Sequence, residues 1–403
     1  MNTKIEGGLK ETYRLSDFAM LDGFFSYRQL DYDADRISYS YGTTSADSYN
    51  LFRDMEGEAR FSWEPLISHA LLFGVNAKRE ALESDSFDAE KSVIMLSVFT
   101  QDTWNIGGAD KFRIVPGLRF DYRPPKDSEE EPIYKLSPKL SFRYDPREDL
   151  VLRLSYGMGF KTPSLKQNYW FFFHPAPYNF LLIGNPNLTP ETSHGFNLSG
   201  DYSVTGEFTL SAGAFFNYIF DMIDDYITDE NPGSAPNSSE EMQNFIYKRS
   251  YRNVGRAITA GGDVSLRYNG SRLKTALTYN YTLAKELEED RDTWIELASR
   301  VPHQVSASVS YCIPVIETTA QARVNWNAPQ LINYADKTYT PDYLMVNLRI
   351  GKTFFGEKLE IYGGVQNVLN NIHFVKSTGN QTQEDYYGLR DGIILSIGAG
   401  FTW

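Results

Sequence analysis

The chain carries one cysteine, Cys312, in 403 residues. That excludes an intrachain disulfide framework and any site built from several thiolates. Long apolar runs are also missing. No stretch approaches the roughly 18 consecutive apolar residues of a membrane helix. The longest greasy segments, Trp170–Phe173 and Phe180–Ile183, are far shorter. A helical membrane protein is thereby excluded. Net positive charge is absent: the formal charge is −13 and the pI is near 5. Nucleic acid is excluded as a partner, because phosphate binding needs a basic patch. The N-terminal residues Met1 to Gly8 hold no apolar core of a signal peptide. There is no nucleophile–His–Asp set, no phosphate loop and no paired carboxylates at a recognisable spacing. Enzymatic chemistry therefore has no support, and no intrinsic cofactor is expected.

What is present is aromatic and periodic. Aromatics make up 15% of the chain, with 27 Tyr and 26 Phe, an excess that suits two interfacial girdles. In 149–160, Leu150, Leu152, Leu154, Tyr156, Met158 and Phe160 share one face. Val151, Arg153, Ser155, Gly157 and Gly159 share the other. A strand sends successive side chains to opposite faces, so this is a ribbon with one greasy and one polar or small face. Segment 206–221 repeats the pattern with Phe208, Leu210, Ala212, Ala214, Phe216, Tyr218 and Phe220. Segment 111–123 sets Arg113, Arg119 and Asp121 opposite its apolar face, a cost in lipid that a watery lumen removes.

Alternation and turn signals mark about 17 strand segments. Their connections switch between short ones, such as Ser16–Ala19, Pro65–Ile67 and Gly107–Asp110, and long ones at 32–49, 81–91, 124–135, 161–190, 222–245, 285–300, 328–340 and 369–385. Short turns on one rim and long loops on the other are the layout of an outer-membrane barrel. The fold class read from this is all-β, an antiparallel transmembrane β-barrel spanning 1–403. Its localisation is a bacterial outer membrane, in contact with lipid. An odd strand count conflicts with the even number of bacterial single-chain barrels. The expectation from the count is a partial barrel of about 17 strands.

Four motifs carry a family resemblance. "GFKTPSLKQ" from Gly159 and "NPNLTPE" from Asn185 resemble the strand end and strand start of TonB-dependent outer-membrane receptors. "YRNVGRAITAGGDVSLRYN" at 251–269 and "VQNVLN" at 365–370 resemble two further strands of that family. The last strand, ending at Trp403, resembles the terminal strand of bacterial outer-membrane barrels. The similarities cover roughly 150–403 and imply a receptor portion, about 17 strands of a 22-stranded receptor barrel, whose plug domain and first strands are absent.

Within the family, haem and haemoglobin receptors carry two boxes, with a His between them, that the longest loop resembles. Their two boxes match Phe160, Lys161, Thr162 and Pro163, and Asn185, Pro186, Asn187 and Leu188, which bracket His174. Lys161 and Thr162 replace an Arg and an Ala of the family pattern. The resemblance implies that His174 is an axial ligand of haem iron, with Tyr169 and Tyr178 as alternative or assisting ligands. Imidazole suits haem iron, and Trp170, Phe171, Phe172, Phe173, Tyr178 and Phe180 would cover a porphyrin. His373 is a distant second candidate, while His69, His194 and His303 fit strand positions. The acidic stretches Asp127–Glu131 and Glu286–Asp292 read as solvated loop tips.

The implied function is import of haem as transported ligand, driven by the TonB–ExbB–ExbD complex through a plug, with a haemophore or haemoglobin as surface partner. The boxes also occur in receptors for siderophores, cobalamin and oligosaccharides, which stay open as cargo. A passive porin or surface adhesin is the reading from another class.

Overall fold

The protein is described by a computed structural model covering 3–38, 43–85, 89–107, 111–125, 131–174, 180–229, 247–288, 292–333, 337–356, 358–372, 375–376, 384–385 and 392–401. At 33–38, 43–48 and 172–174 the description is of backbone alone.

The elements in chain order begin with β1 (Thr3–Ser16), β2 (Ala19–Ser38), β3 (Thr43–Leu66), β4 (His69–Ser84), β5 (Lys91–Ile106), β6 (Phe112–Arg123), β7 (Ile133–Arg147) and β8 (Leu150–Lys161). A single helical turn, α1 (Leu165–Tyr169), and two short strands, β9 (Phe171–His174) and β10 (Phe180–Ile183), follow. Then come β11 (Glu191–Ser203), β12 (Phe208–Asp229), β13 (Tyr247–Asn269), β14 (Leu273–Glu288), β15 (Thr293–Glu296), β16 (His303–Ile313) and β17 (Thr318–Asn327). The last are β18 (Leu331–Asn333), β19 (Thr338–Tyr339), β20 (Tyr343–Phe354), β21 (Leu359–Gln366), β22 (Val375–Lys376), β23 (Glu384–Asp385) and β24 (Ile394–Phe401).

Twenty of these strands form one sheet, and β18–β19 and β22–β23 are separate two-stranded pairs. Three of the twenty, β9, β10 and β15, have four residues each; the remaining seventeen are the strands that the alternation marks. Consecutive long strands pair antiparallel, as β1–β2, β3–β4, β16–β17 and β20–β21 do. β10 lies parallel along the start of β13, from Phe180↔Tyr247 to Ile183↔Ser250.

The greasy face points outward. Leu152 and Leu154 on β8 are exposed, and Leu395 and Ile397 on β24 reach 76% and 87% exposure. Few large apolar side chains are buried, among them Leu82, Leu181 and Leu331. A protein in water does not leave period-two apolar stripes uncovered; a sheet in lipid does. Among the described residues no helix is long and apolar enough to cross a membrane.

Of the segment 32–49, expected as a loop, the described residues 32–38 and 43–49 are instead paired strand. β2 and β3 stay paired from Asp31↔Leu51 to Ser38↔Thr43. Above a membrane both faces of a strand are wet, so the ladder continues while apolar alternation stops.

The chain divides into two compact units. The first comprises Met1–Phe142, Tyr156–His194 and Ile219–Arg256; the second comprises Arg143–Ser155, Gly195–Tyr218 and Ala257–Trp403. The longest connection, with both of its boxes, lies wholly in the first.

Candidate functional site

The connection from β8 to β11 opens with Phe160 and Lys161 at the end of β8, followed by half-buried Thr162 and buried Pro163. Ser164 then caps α1. Its hydroxyl accepts from the Gln167 N–H at 3.2 Å, and the Gln167 side chain accepts from the Ser164 N–H at 2.9 Å. This reciprocal box satisfies two donors that a helix start leaves free, which is why so short a helix persists.

α1 docks through Leu165, buried in a cluster with Leu82 of β4 and Val93 of β5, with Phe52 and Tyr169 packed against it. The Tyr169 ring lies 5.5 Å beneath the Lys91 ammonium. The Lys166 ammonium sits 4.0 Å from the Trp170 ring centroid and 5.0 Å from that of Phe52. Burial pulls the Lys166 pKa below its ordinary value of 10.5. The unfolded side chain therefore binds a proton over an alkaline range in which the docked one has released it. Docking of α1 should tighten as pH rises through that range. Trp170 emission followed in an alkaline titration should report this change, and Lys166→Met should abolish it; persistence in that variant would assign the change elsewhere.

β9 and β10 form a hairpin with His174↔Phe180 and Phe171↔Ile183 in register. The backbone at His174 is thus placed two strands from β13, while its side chain and the whole of Tyr178 lie outside the described residues. Phe171 is exposed, Leu181 is buried, and Phe180 lies 5.5 Å from the Arg249 guanidinium.

The second box is held from three directions. Gly184 N–H donates to the Trp170 carbonyl at 2.6 Å, and Asn185 N–H to the Gln167 carbonyl at 2.8 Å. The Asn185 amide donates to the Tyr251 carbonyl of β13 at 2.9 Å, and its oxygen accepts from the Asn187 N–H at 3.0 Å. Pro186 and Asn187 are exposed, whereas Leu188 is buried. Asn253 of β13 accepts from the Thr189 N–H at 2.9 Å and donates to the carbonyls of Thr189 at 2.9 Å and Asp221 at 2.7 Å. Asp221 is left-handed (φ 54°), a conformation that Asp tolerates better than most residues. Glu191 closes the frame: it accepts from the Ile223 N–H at 2.9 Å and pairs with Lys161 at 3.1 Å.

The structure thus joins three motifs that are far apart in sequence: the strand end at Lys161, the box at Asn185–Leu188 and the β13 motif containing Asn253. Sequence reasoning did not single out Gly184, Glu191 or Asn253 as site residues. Asn253 was legible only as a letter of its motif.

The other described histidines are engaged. His69 bonds Asp102 at 2.8 Å and stacks on Trp104. His194 bonds the Tyr156 hydroxyl at 2.8 Å beside Phe220, and His303 does the same with Tyr279. His373, Trp403 and most of the acidic stretch at 127–131 lie outside the described residues. Among the described residues no group of three or more His, Cys, Asp or Glu is arranged to hold a metal ion.

A period-two sheet with a bare apolar face and a folded strap at one strand end is an outer-membrane β-barrel protein. The chain belongs to the TonB-dependent receptor-like β-barrel family, whose model matches residues 6–368. That is a family of receptors, not enzymes. Among curated relatives, a probable haemoglobin and haemoglobin-haptoglobin-binding protein of Haemophilus influenzae is 26% identical over 144 residues, 35% of this chain and 14% of that protein. An iron-regulated outer membrane virulence protein of Vibrio cholerae is 27% identical over 234 residues, 55% of this chain and 33% of that protein. The chain therefore spans a third or less of the length of these relatives. The ferric enterobactin receptor of Pseudomonas aeruginosa superposes with a TM-score of 0.72 at 16% identity, covering 92% of this chain and 57% of that one; at that identity the likeness is one of fold.

Proposed function

We propose that this chain is the ligand-capturing barrel of a TonB-dependent transporter that imports haem, with His174 as the axial ligand of the iron. The observation that carries the reading is the placement of His174 on a hairpin framed by both boxes and held in register against β13. Tyr169 and Tyr178 are assisting ligands in this reading, and the box residues from Phe160 to Pro163 and from Asn185 to Leu188 border the site. Similarity to a haemoglobin-binding protein supports the same cargo and a haem-carrying protein as surface partner. Energy would come from TonB–ExbB–ExbD acting through a plug domain.

Haem titrated into the refolded chain should give a shifted Soret band, and His174→Ala should weaken binding at least tenfold, the scale of one lost strong ligand interaction. An unchanged titration in the variant would remove His174 from the site. No shift in either protein would remove haem as cargo.

One observation favours a second cargo, an anionic ferric chelate. On the polar face of the second unit a cavity of about 730 Å³ is lined by Arg267, Lys274, Arg323 and Arg349 and by no Asp or Glu, although Arg349 pairs with the adjacent Glu360 at 2.7 Å. In a chain of net charge −13 this basic surface suits a carboxylate- or catecholate-bearing ligand. Binding of such a chelate, lost on Arg323→Glu, would select this reading over haem.

A further inference from the structure

We infer that Asn185 and Leu188 of the second box, with Asn253 on β13, are positioning residues that set the register of the β9–β10 hairpin, and that these three do not contact cargo. The inference rests on the haem reading for its consequence but not for its geometry.

The β10–β13 ladder ends at Ile183↔Ser250. Two residues further along β10, and one further along β13, the Asn185 amide bonds the Tyr251 carbonyl and adds a side-chain rung to the ladder. Asn253 adds two more bonds to the Thr189 backbone and ties the same turn to β12 through the Asp221 carbonyl. Asn253 holds a fixed position on β13 and Asn185 follows two residues after β10, so their bonds admit one alignment. Short strands are weakly specified by themselves: β9 and β10 have four residues each, and a one-residue slip inverts the facing of every position. A hairpin intended to hold one ligating residue needs its register fixed from outside, and the clasp does that.

The same bonds, with burial at Leu188, turn these three residues to the fold and not to the ligand. The Asn185 side chain has its amide on Tyr251 and its oxygen on Asn187. Leu188 is buried, at 8% exposure. Asn185 thus has both polar atoms engaged by backbone, and Leu188 is packed away. Asn253 likewise makes three bonds to backbone. Sites built to a tolerance well under an ångström depend on such supports.

The test compares Asn253→Ala, Asn253→Asp and Asn185→Ala with the whole wild-type chain in detergent or lipid. Amide hydrogen exchange is read at 171–183 and, as a control, in β16 and β17. Asn253→Ala should speed exchange in the hairpin about tenfold or more, since three modest hydrogen bonds are lost, and leave β16 and β17 unchanged. Asn253→Asp keeps the acceptor for Thr189 and should recover part of the protection. Haem affinity should fall with hairpin protection, while the Soret position at saturation stays that of wild type, because the iron ligand is the same. Unchanged exchange in both alanine variants would overturn the clasp. A displaced Soret band at saturation would overturn its indirect role. Absence of haem binding by the wild type would strike the proposed cargo instead, and the exchange data would still decide the clasp.

Discussion

Gly184→Ala is expected to unseat the β9–β10 hairpin from α1. A Cβ at this position would stand 2.6 Å from the Tyr169 nitrogen, 2.7 Å from the Asn168 carbonyl carbon and 2.7 Å from the Trp170 nitrogen. These are backbone atoms, which cannot rotate aside as a side chain does. The Gly184 N–H is simultaneously within 2.6 Å of the Trp170 carbonyl, so the two chains touch at full contact. Overpacking of this kind costs about 1–3 kcal/mol. Here it falls on a local unit, so the loss should appear as local opening of 171–190 and not as global unfolding. Hydrogen exchange across that segment should rise tenfold or more, and proteolysis there should accelerate. Gly157 of β8 has open space where its Cβ would go, so Gly157→Ala should leave the segment as it was. Equal behaviour of the two variants would mean that close approach at Gly184 is not what holds the strap.

How much of this was legible depends on what each segment faces. Lipid on one side forces period two, so the strands appear in the sequence wherever they cross the membrane; β8 and β24 are the clearest. That constraint ends at the membrane surface, and so does the signal. Residues 33–38 and 43–48 read as a loop although their backbones pair, because a wet hairpin needs no apolar face. α1 had a written signature, Ser164 followed three residues later by Gln167. The aromatic run beside it drew the reading toward a pocket. The clasp could not be read at all. Asn253 is 64 residues from Thr189 and 32 from Asp221, and nothing local marks an asparagine on an outer strand end as a bridging residue. The strand histidines were placed correctly, but their tyrosine partners come from neighbouring strands, His194 with Tyr156 and His303 with Tyr279.

The other large effect is expected on the polar face of the first unit. Arg113, Arg119 and Asp121 of β6 read from sequence as charges turned to water, where an ion pair is worth little. Asp121 is instead 2% exposed. It accepts from the Ser97 hydroxyl of β5 at 2.6 Å and from the Arg119 Nε at 2.9 Å, and Arg119 reaches Ser97 in turn at 2.7 Å. The three groups form a closed triangle of bonds linking β5 to β6. Removing the carboxylate leaves the Arg119 Nε–H and the Ser97 hydroxyl without their acceptor. Breaking a buried pair costs about 3–5 kcal/mol, and the low end applies because the Arg119 side chain keeps 38% of its exposure. Asp121→Ala should therefore destabilise the refolded chain by about 3 kcal/mol in a denaturant titration. Asp121→Asn should lose less, since it retains an acceptor for Ser97. Coupling between Asp121→Ala and Ser97→Ala should be visible in a double-mutant cycle at about 0.5–3 kcal/mol. The reference is Arg14–Asp17, an ion pair with side chains 71% and 84% exposed beside the β1–β2 turn. Arg14→Ala should change stability by less than about 1 kcal/mol. If Asp121→Ala costs no more than Arg14→Ala, the triangle is as wet as the sequence suggested, and the polar face of β5 and β6 is held by its ladder alone.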